Sequence, residues 1–209
     1  MPTFRGAGGL WKHYRPDQLA TPEAFAQDPV LVWEWYLWRR GLIAKAEPNP
    51  GHYALASFER RVPAFVVVTQ NVDGLHERAG NRNIVKLHGD IWKSQCLNCG
   101  GEYADDRTEV DALPPLCDCG GMLRPAVVWF GEGLDDGVWN AAERAVRAAD
   151  AVLVIGTSAV VYPAALLVPL AKESGAKVIE INPDETPASG LADASLRGPS
   201  GQILPELLS

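Results

Sequence analysis

The chain has 209 residues, enough for one full domain with a small appendage and a sizeable buried core. Its composition is ordinary for a globular protein, with 47% apolar and 22% charged residues, and a formal charge of −7 argues against the basic face that nucleic-acid binding needs. No apolar run approaches the roughly 20 residues that span a bilayer, and no basic segment followed by an apolar stretch opens the chain. A cytoplasmic protein is therefore expected, with no membrane and no direct nucleic-acid partner.

Thr21-Pro22-Glu23 is a helix start, with Thr21 as the N-cap and Pro22 at the first helical position, where a missing N–H does no harm. Asp28-Pro29 repeats the signal and opens a longer helix to about Ala44. Two prolines and a glycine between Lys45 and Gly51 make a loop, and Gly51 to Arg60 reads as a further helix. Ala64 to Val68 is a continuous apolar, β-branched run, as expected for a strand buried on both faces. His76 to Ala79 form a short helix stopped by Gly80, and Ile84 to Leu87 form the next strand.

Cys96 to Leu123 differs in kind, being polar, rich in Gly and Pro, and without periodicity. Ala126 to Phe130 is then strand-like, and Asp135 to Ala149 is a helix with acids at its start, favoured by the helix dipole. Ala151 to Ile155 is a strand ending in Gly156-Thr157-Ser158. Pro163 opens another helix, Lys177 to Ile181 is a strand ending in Asn182, and Ile203 to Leu208 is a last short helix. Strands alternating with helices of this length predict an α/β fold, a Rossmann-like, doubly wound parallel sheet. The expected division is a Rossmann-like domain over 1–91 and 125–209, with a small inserted zinc-binding module over 92–124.

All four cysteines lie in that insert, as Cys96-x-x-Cys99 and Cys117-x-Cys119 with 17 residues between the pairs. This is close to the spacing of a four-cysteine zinc ribbon, and reduced thiolates fit better than a disulfide scaffold. Four thiolates saturate tetrahedral zinc and leave no position for water, so one structural ion is expected. The second pair is one residue short of C-x-x-C, and Gly120-Gly121 permits the sharp turn this requires. The segment Arg107 to Pro115 is expected to have no other means of ordering.

Thr69-Gln70-Asn71-Val72-Asp73-Gly74-Leu75-His76 and Lys86-Leu87-His88-Gly89-Asp90 each follow a strand-like run. Polar groups at the carboxyl ends of neighbouring parallel strands are where open α/β sheets bind ligands, which places His88 for chemistry with Asn71 and Asp73 in reach of the same crevice. With an ordinary pKa of about 6.5, a histidine there can take a proton near neutrality. His13, His52 and His76 carry no comparable support.

Together these strings and the cysteine insert resemble the sirtuins, the NAD-dependent protein lysine deacylases, from Pro2 to about Leu208. The resemblance implies that NAD is consumed as a co-substrate, with His88 as the base that deprotonates a ribose hydroxyl. The products would be free lysine, nicotinamide and an O-acyl-ADP-ribose, and the partners acylated-lysine proteins or peptides, acted on by a monomer. Phe4 and Arg5, in Pro2-Thr3-Phe4-Arg5, match the family's cofactor loop. Gln70, Asn71, Val72 and Asp73 match its nicotinamide-end cluster, Asn71 positioning water or ribose and Asp73 the nicotinamide amide. Gly156, Thr157 and Ser158 match its second phosphate and ribose loop, Asn182 with Pro183 and Asp184 its adenosine ribose contact, and Ser200 an adenine-side position. Family members carry a first strand and a Gly-Ala-Gly-x-Ser loop just upstream of the Pro-x-Phe-Arg string. Both are absent here, so a reading frame encoding them is expected upstream of Met1.

In the helix after Asp28, residues three and four apart share a face. Val32, Tyr36, Arg39 and Ile43 form one stripe, and Leu31, Trp35, Trp38 and Leu42 form a wholly apolar one that should be core. A guanidinium beside Tyr36 is odd unless something anionic meets it, since an unpaired buried charge is costly and arginine suits bidentate carboxylate binding. The alternative is that Arg39 snorkels to solvent. Tyr36-x-x-Arg39 resembles the signature of sirtuins that remove succinyl and malonyl groups. Three readings follow: a desuccinylase and demalonylase with weaker deacetylation, a plain deacetylase with Arg39 turned away, or a zinc-stabilised binding module without NAD.

Overall fold

The computed structural model describes residues 19–62 and 64–209. They form two compact units. The first comprises the described residues up to Glu47, then Asn71–Gly74 and His88–Gly133; the second comprises 48–70, 75–87 and 134–209. Among the described residues, no helix is long and apolar enough to cross a membrane.

The first unit opens with helix α1 (Pro22–Gln27), capped by the Thr21 hydroxyl, which accepts from the Ala24 N–H at 3.1 Å. Helix α2 (Pro29–Ala44) follows, and the Asp28 carboxylate accepts from the Leu31 N–H at 2.9 Å. Both starts lie where the Thr-Pro and Asp-Pro pairs predict them. Which face of α2 is buried differs from expectation. Val32 and Ile43 are wholly buried and Tyr36 nearly so, whereas Trp38, assigned to the core stripe, is 48% exposed. Leu31 and Leu42 are half-buried, and only Trp35 of that stripe is inside. Two neighbouring apolar stripes are equivalent to local pattern, and what packs on them decides which goes in.

Against α2 lies an antiparallel sheet in the order β4 (Glu102–Ala104), β3 (Gly89–Cys96), β5 (Leu123–Val127). Strand β3 is absent from the sequence expectation. Its register shifts between Gly89 and Ser94, which breaks the simple alternation that would reveal it. Strand β5 ends at Val127 rather than running over Ala126 to Phe130, because Trp129 to Glu132 form a turn closed by the Glu132 N–H on the Trp129 carbonyl. The core joins Phe25, Trp33, Tyr36, Ile91 and Trp129 with Cys96, Cys117 and Leu123, and Val110 and Leu113 pack against it. The insert thus has apolar anchors besides its cysteines, contrary to the expectation that residues 107–115 lack any.

The second unit carries the parallel strands. Helix α3 (Pro50–Arg61) leads to β1 (Val67–Thr69), and helix α4 (Leu75–Ala79) precedes β2 (Ile84–Lys86), which pairs with β1 in parallel. Helix α5 (Asp136–Arg147), capped by the Asp135 carboxylate, precedes β6 (Ala151–Ile155). A 3-10 turn (Ala164–Leu166) and helix α6 (Leu167–Glu173) follow Pro163 and lead to β7 (Lys177–Ile181) and β8 (Ala194–Leu196). Strands β6, β7 and β8 are parallel in that order. Helix α7 (Ser200–Leu207) ends the chain. Parallel strands separated by helices make the Rossmann-like α/β arrangement that the alternation predicts. The core here is aliphatic, built from Val146, Val154, Val168 and Val178 on one side and Leu55, Ile181 and Leu204 on another.

Candidate functional site

The four cysteine sulfurs lie within 4.8 Å of one another. Gly120 takes a φ of +81°, and a side chain at Gly121 would sit 2.8 Å from the Cys96 sulfur, so the glycines make the tight turn that C-x-C needs. Backbone N–H groups aimed at the sulfurs, from Gly101, Cys119 and Gly121, lower the thiols of Cys99, Cys117 and Cys119 respectively. Four sulfurs this close together, three of them lowered toward thiolate, fit one zinc ion, which would tie β3 to the 117–119 turn and leave no open coordination position.

Behind the cysteines a buried ionic network joins α2 to β3. Arg40 is fully buried, donating from Nε to the Ile91 carbonyl at 2.7 Å and from Nη1 to the Arg107 carbonyl at 3.1 Å. Its charge meets Asp105 at 3.2 Å. Asp105 also accepts from Ser94 Oγ at 2.5 Å and Arg107 Nε at 2.7 Å. Burial alone would raise the Asp105 carboxyl, but the hydrogen bonds from Arg107 and Ser94 and the Arg40 charge outweigh it. They hold the acid well below the usual carboxylate range.

His88 sits at the entry of β3, half-buried, with its carbonyl accepting from the Val128 N–H at 3.0 Å. The glycine after it is obligatory: Gly89 has a φ of +78°, and any Cβ there would overlap the Ala126 carbonyl oxygen. The loop carrying Asn71, Val72 and Asp73 is tied to the same strand. The Ile91 N–H donates to the Val72 carbonyl at 3.0 Å, and the Trp92 indole donates to the Asp73 carbonyl at 2.8 Å. Asp73 and Val72 are buried, while Asn71 is exposed. One strand therefore supports both strings that the sequence singles out in this unit.

Arg39 does not reach solvent. It is 8% exposed, with its guanidinium carbon 5.4 Å from the Trp35 ring centroid. Burial lowers its pKa to about 10, opposed by Tyr36 and by the Asp73 charge, so it remains a cation at neutral pH. Tyr36 is buried and accepts a hydrogen bond from the Trp129 indole at 2.9 Å. Burial raises its phenol above the ordinary value. The snorkelling alternative is thus set aside, and the buried Tyr36 and Arg39 stripe is electrostatically linked to the Asp73 loop.

In the second unit, Gln70, Thr157 and Asn182 form one hydrogen-bonded set at the carboxyl ends of β1, β6 and β7. Gln70 Nε2 donates to the Thr157 hydroxyl at 3.2 Å, and Asn182 Nδ2 to the Thr157 carbonyl at 2.7 Å. Asn182 Oδ1 accepts from the Asp184 N–H at 3.3 Å. Gly156 turns the chain out of β6 with a φ of +58°, and Gly156, Ser158, Pro183 and Asp184 are exposed. Ser200 begins α7 and is half-buried. A polar, partly open set at parallel strand ends suits a nucleotide. Phe4 and Arg5 lie outside the described residues, as do Pro2 and His13.

Sequence reasoning missed Trp129, Arg40, Asp105 and Glu180. Glu180, in β7, is wholly buried and accepts from Thr186, Ser189 and Arg197 at 2.5, 2.6 and 2.7 Å. It rivets the segment after Asn182. Its only local signal is an acid inside an apolar strand, Val178-Ile179-Glu180-Ile181.

Residues 1–163 match the Sir2 family. The chain belongs to that family, the sirtuins. A relative from Pyrobaculum aerophilum, NAD-dependent protein deacylase 2, is 53% identical over 209 residues, which is 100% of this chain and 84% of the relative. A solved Sir2 homologue in complex with NAD is 50% identical, with a TM-score of 0.94 over 99% of this chain and 81% of that one. A Sir2 homologue mutant in complex with ADP-ribose reaches a TM-score of 0.96 at 49% identity, covering 100% of this chain and 84% of its own.

Proposed function

We propose that this sirtuin is an NAD-dependent protein-lysine deacylase whose acyl pocket prefers groups ending in a carboxylate, succinyl and malonyl. Its class, NAD-dependent protein deacylase, rests on an identity near one half to relatives of that name along the whole chain. The acyl preference rests on one observation, the buried Arg39 cation three residues from the buried Tyr36 phenol. Burying a guanidinium is costly, and a planar, two-pronged donor is the group best matched to a carboxylate.

The residue roles follow the family pattern. When bound, NAD would supply an electrophilic ribose carbon, to which the acyl oxygen bonds as nicotinamide leaves. His88 takes the proton from a ribose hydroxyl, from a half-buried position where its backbone carbonyl accepts from the Val128 N–H. Asn71 orders water or ribose, and Asp73 holds the nicotinamide amide while balancing Arg39. Gln70 and Val72 join the nicotinamide end, Gly156, Thr157 and Ser158 meet the ribose and phosphate, Asn182, Pro183 and Asp184 the adenosine ribose, and Ser200 the adenine side. The protein substrates are acylated lysines.

One observation favours a plain deacetylase instead: the Asp73 charge already compensates the Arg39 cation within the protein. The two readings separate on kcat/KM for succinyl-, malonyl- and acetyl-lysine peptides. Arg39→Met is expected to depress desuccinylation about ten- to a hundredfold more than deacetylation, the worth of a charge-assisted contact. Equal loss on both substrates would assign Arg39 a folding role. His88→Ala is expected to cost about 10²–10⁴-fold in turnover on every acyl group. A folded His88→Ala protein retaining a tenth of wild-type turnover would remove His88 from its role.

A further inference from the structure

We infer that Trp129 is a positioning residue for acyl selection, fixing the Tyr36 hydroxyl as a hydrogen-bond donor toward the acyl group; this rests on the acidic-acyl reading above. An indole N–H can only donate. Trp129 Nε1 stands 2.9 Å from the Tyr36 oxygen, and both side chains are buried. The Tyr36 oxygen must therefore accept on that side, and its own proton points elsewhere. Among the described residues, the bond from Trp129 is the only hydrogen bond the Tyr36 hydroxyl makes. Its proton remains available, and burial keeps it attached at neutral pH by raising the phenol above its ordinary value.

The indole is itself held on three sides. The Arg124 guanidinium stacks on its ring 3.5 Å from the centroid, and the Phe25 ring packs at 5.2 Å. Glu132 grips Arg124 with both oxygens, at 2.5 and 2.9 Å, and accepts the Trp129 backbone N–H at 2.7 Å. A side chain clamped in this way cannot swing aside to let the phenol reverse. Tyr36 thus presents a donor beside the Arg39 cation. Two donors side by side suit a carboxylate, which only accepts, and gain nothing from the methyl of an acetyl group. Had a carbonyl or carboxylate stood where Trp129 stands, Tyr36 would donate inward and show the acyl group only lone pairs.

The test compares kcat/KM on succinyl- and acetyl-lysine peptides at saturating NAD for wild type, Trp129→Phe, Tyr36→Phe and the double variant. Phenylalanine at 129 keeps a ring under Arg124 and removes only the donor. Trp129→Phe is expected to reduce the succinyl-to-acetyl ratio about five- to tenfold, chiefly through the KM of the succinyl peptide. The double variant is expected to lose no more selectivity than Tyr36→Phe alone, because both act through one hydrogen bond. An unchanged ratio in Trp129→Phe, or losses that multiply in the double variant, overturns the inference and leaves the acyl reading standing. A wild type without succinyl preference overturns the acyl reading first, and the inference with it. If Trp129→Phe fails to bind zinc or to melt cooperatively, benzothienylalanine at 129 replaces the N–H by sulfur at nearly equal shape, and the same ratio decides.

Discussion

The two compact units are stabilised in different ways. The unit containing the cysteines places charge and metal ligands inside: Arg40 and Asp105 are buried together, Arg124 stacks on a buried Trp129, and four sulfurs converge near Cys96. The unit containing the parallel strands is packed by valine, leucine and isoleucine, and its main buried charge is one carboxylate, Glu180, with a ring of hydroxyl and guanidinium donors. Apolar packing degrades gradually when a methyl group is removed. A buried ion pair or a metal knot fails at once when one partner is lost. The first unit should therefore respond to single polar changes that the second would tolerate.

Metal removal is the strongest way to break this contrast. Metal analysis should find one zinc per chain, and chelation should lower thermal stability, since free energies of about 10–16 kcal/mol are typical of such sites in isolated zinc peptides. Hydrogen exchange should then lose protection first across 94–123 and keep it along 151–155 and 177–181. Uniform loss in both segments would erase the contrast, and a folded metal-free protein with four free thiols would remove zinc from the structure.

Asp105→Asn comes next. It leaves Arg40 buried with its charge uncompensated, and denaturant unfolding should show a loss of about 3–5 kcal/mol. A loss below about 1 kcal/mol would mean that water reaches Arg40 and that the network does not hold α2 to β3.

Glu180→Gln should have the smallest effect, and its pH dependence carries the information. Burial raises the Glu180 carboxyl, but donors from Ser189, Thr186 and Arg197 outweigh it and bring it to about 2, below the ordinary carboxylate value. A depressed folded pKa contributes stability that is fully present above the unfolded value and is lost as pH falls from about 5 toward 2. Melting curves should show Glu180→Gln less stable than wild type at pH 7, with the gap narrowing below pH 5 and closing toward pH 2. A gap independent of pH would mean that the amide disturbs packing rather than charge.

Much of the site was legible because its signals are local. The Leu87-His88-Gly89 string puts a glycine after the histidine, and only the structure shows why it is needed, in the approach of β5 at Ala126. Tyr36-x-x-Arg39 could be read as an oddity on its helix. Its partner Trp129 could not, standing 93 residues away with no pattern linking the two. Asp105 reads as one of two adjacent acids in Asp105-Asp106-Arg107, and nothing nearby marks it as the one that Arg40 needs.

The sequence alone determined the parallel α/β plan, through β-branched runs at Ala151 to Ile155 and Lys177 to Ile181 that the structure reproduces residue for residue. It determined the helix starts at Thr21, Asp28 and Asp135, because a cap is a bond between residues three apart. It determined the cysteine set by spacing. Only the tertiary structure decided that Trp38 lies outside and Arg39 inside, that a bulged strand runs from Gly89 to Cys96, and that Trp129 meets Tyr36. Those outcomes depend on partners such as Ile91 for Arg40 and Trp129 for Tyr36, 51 and 93 residues away, and a buried group takes its role from the partner brought to it rather than from its neighbours in the chain.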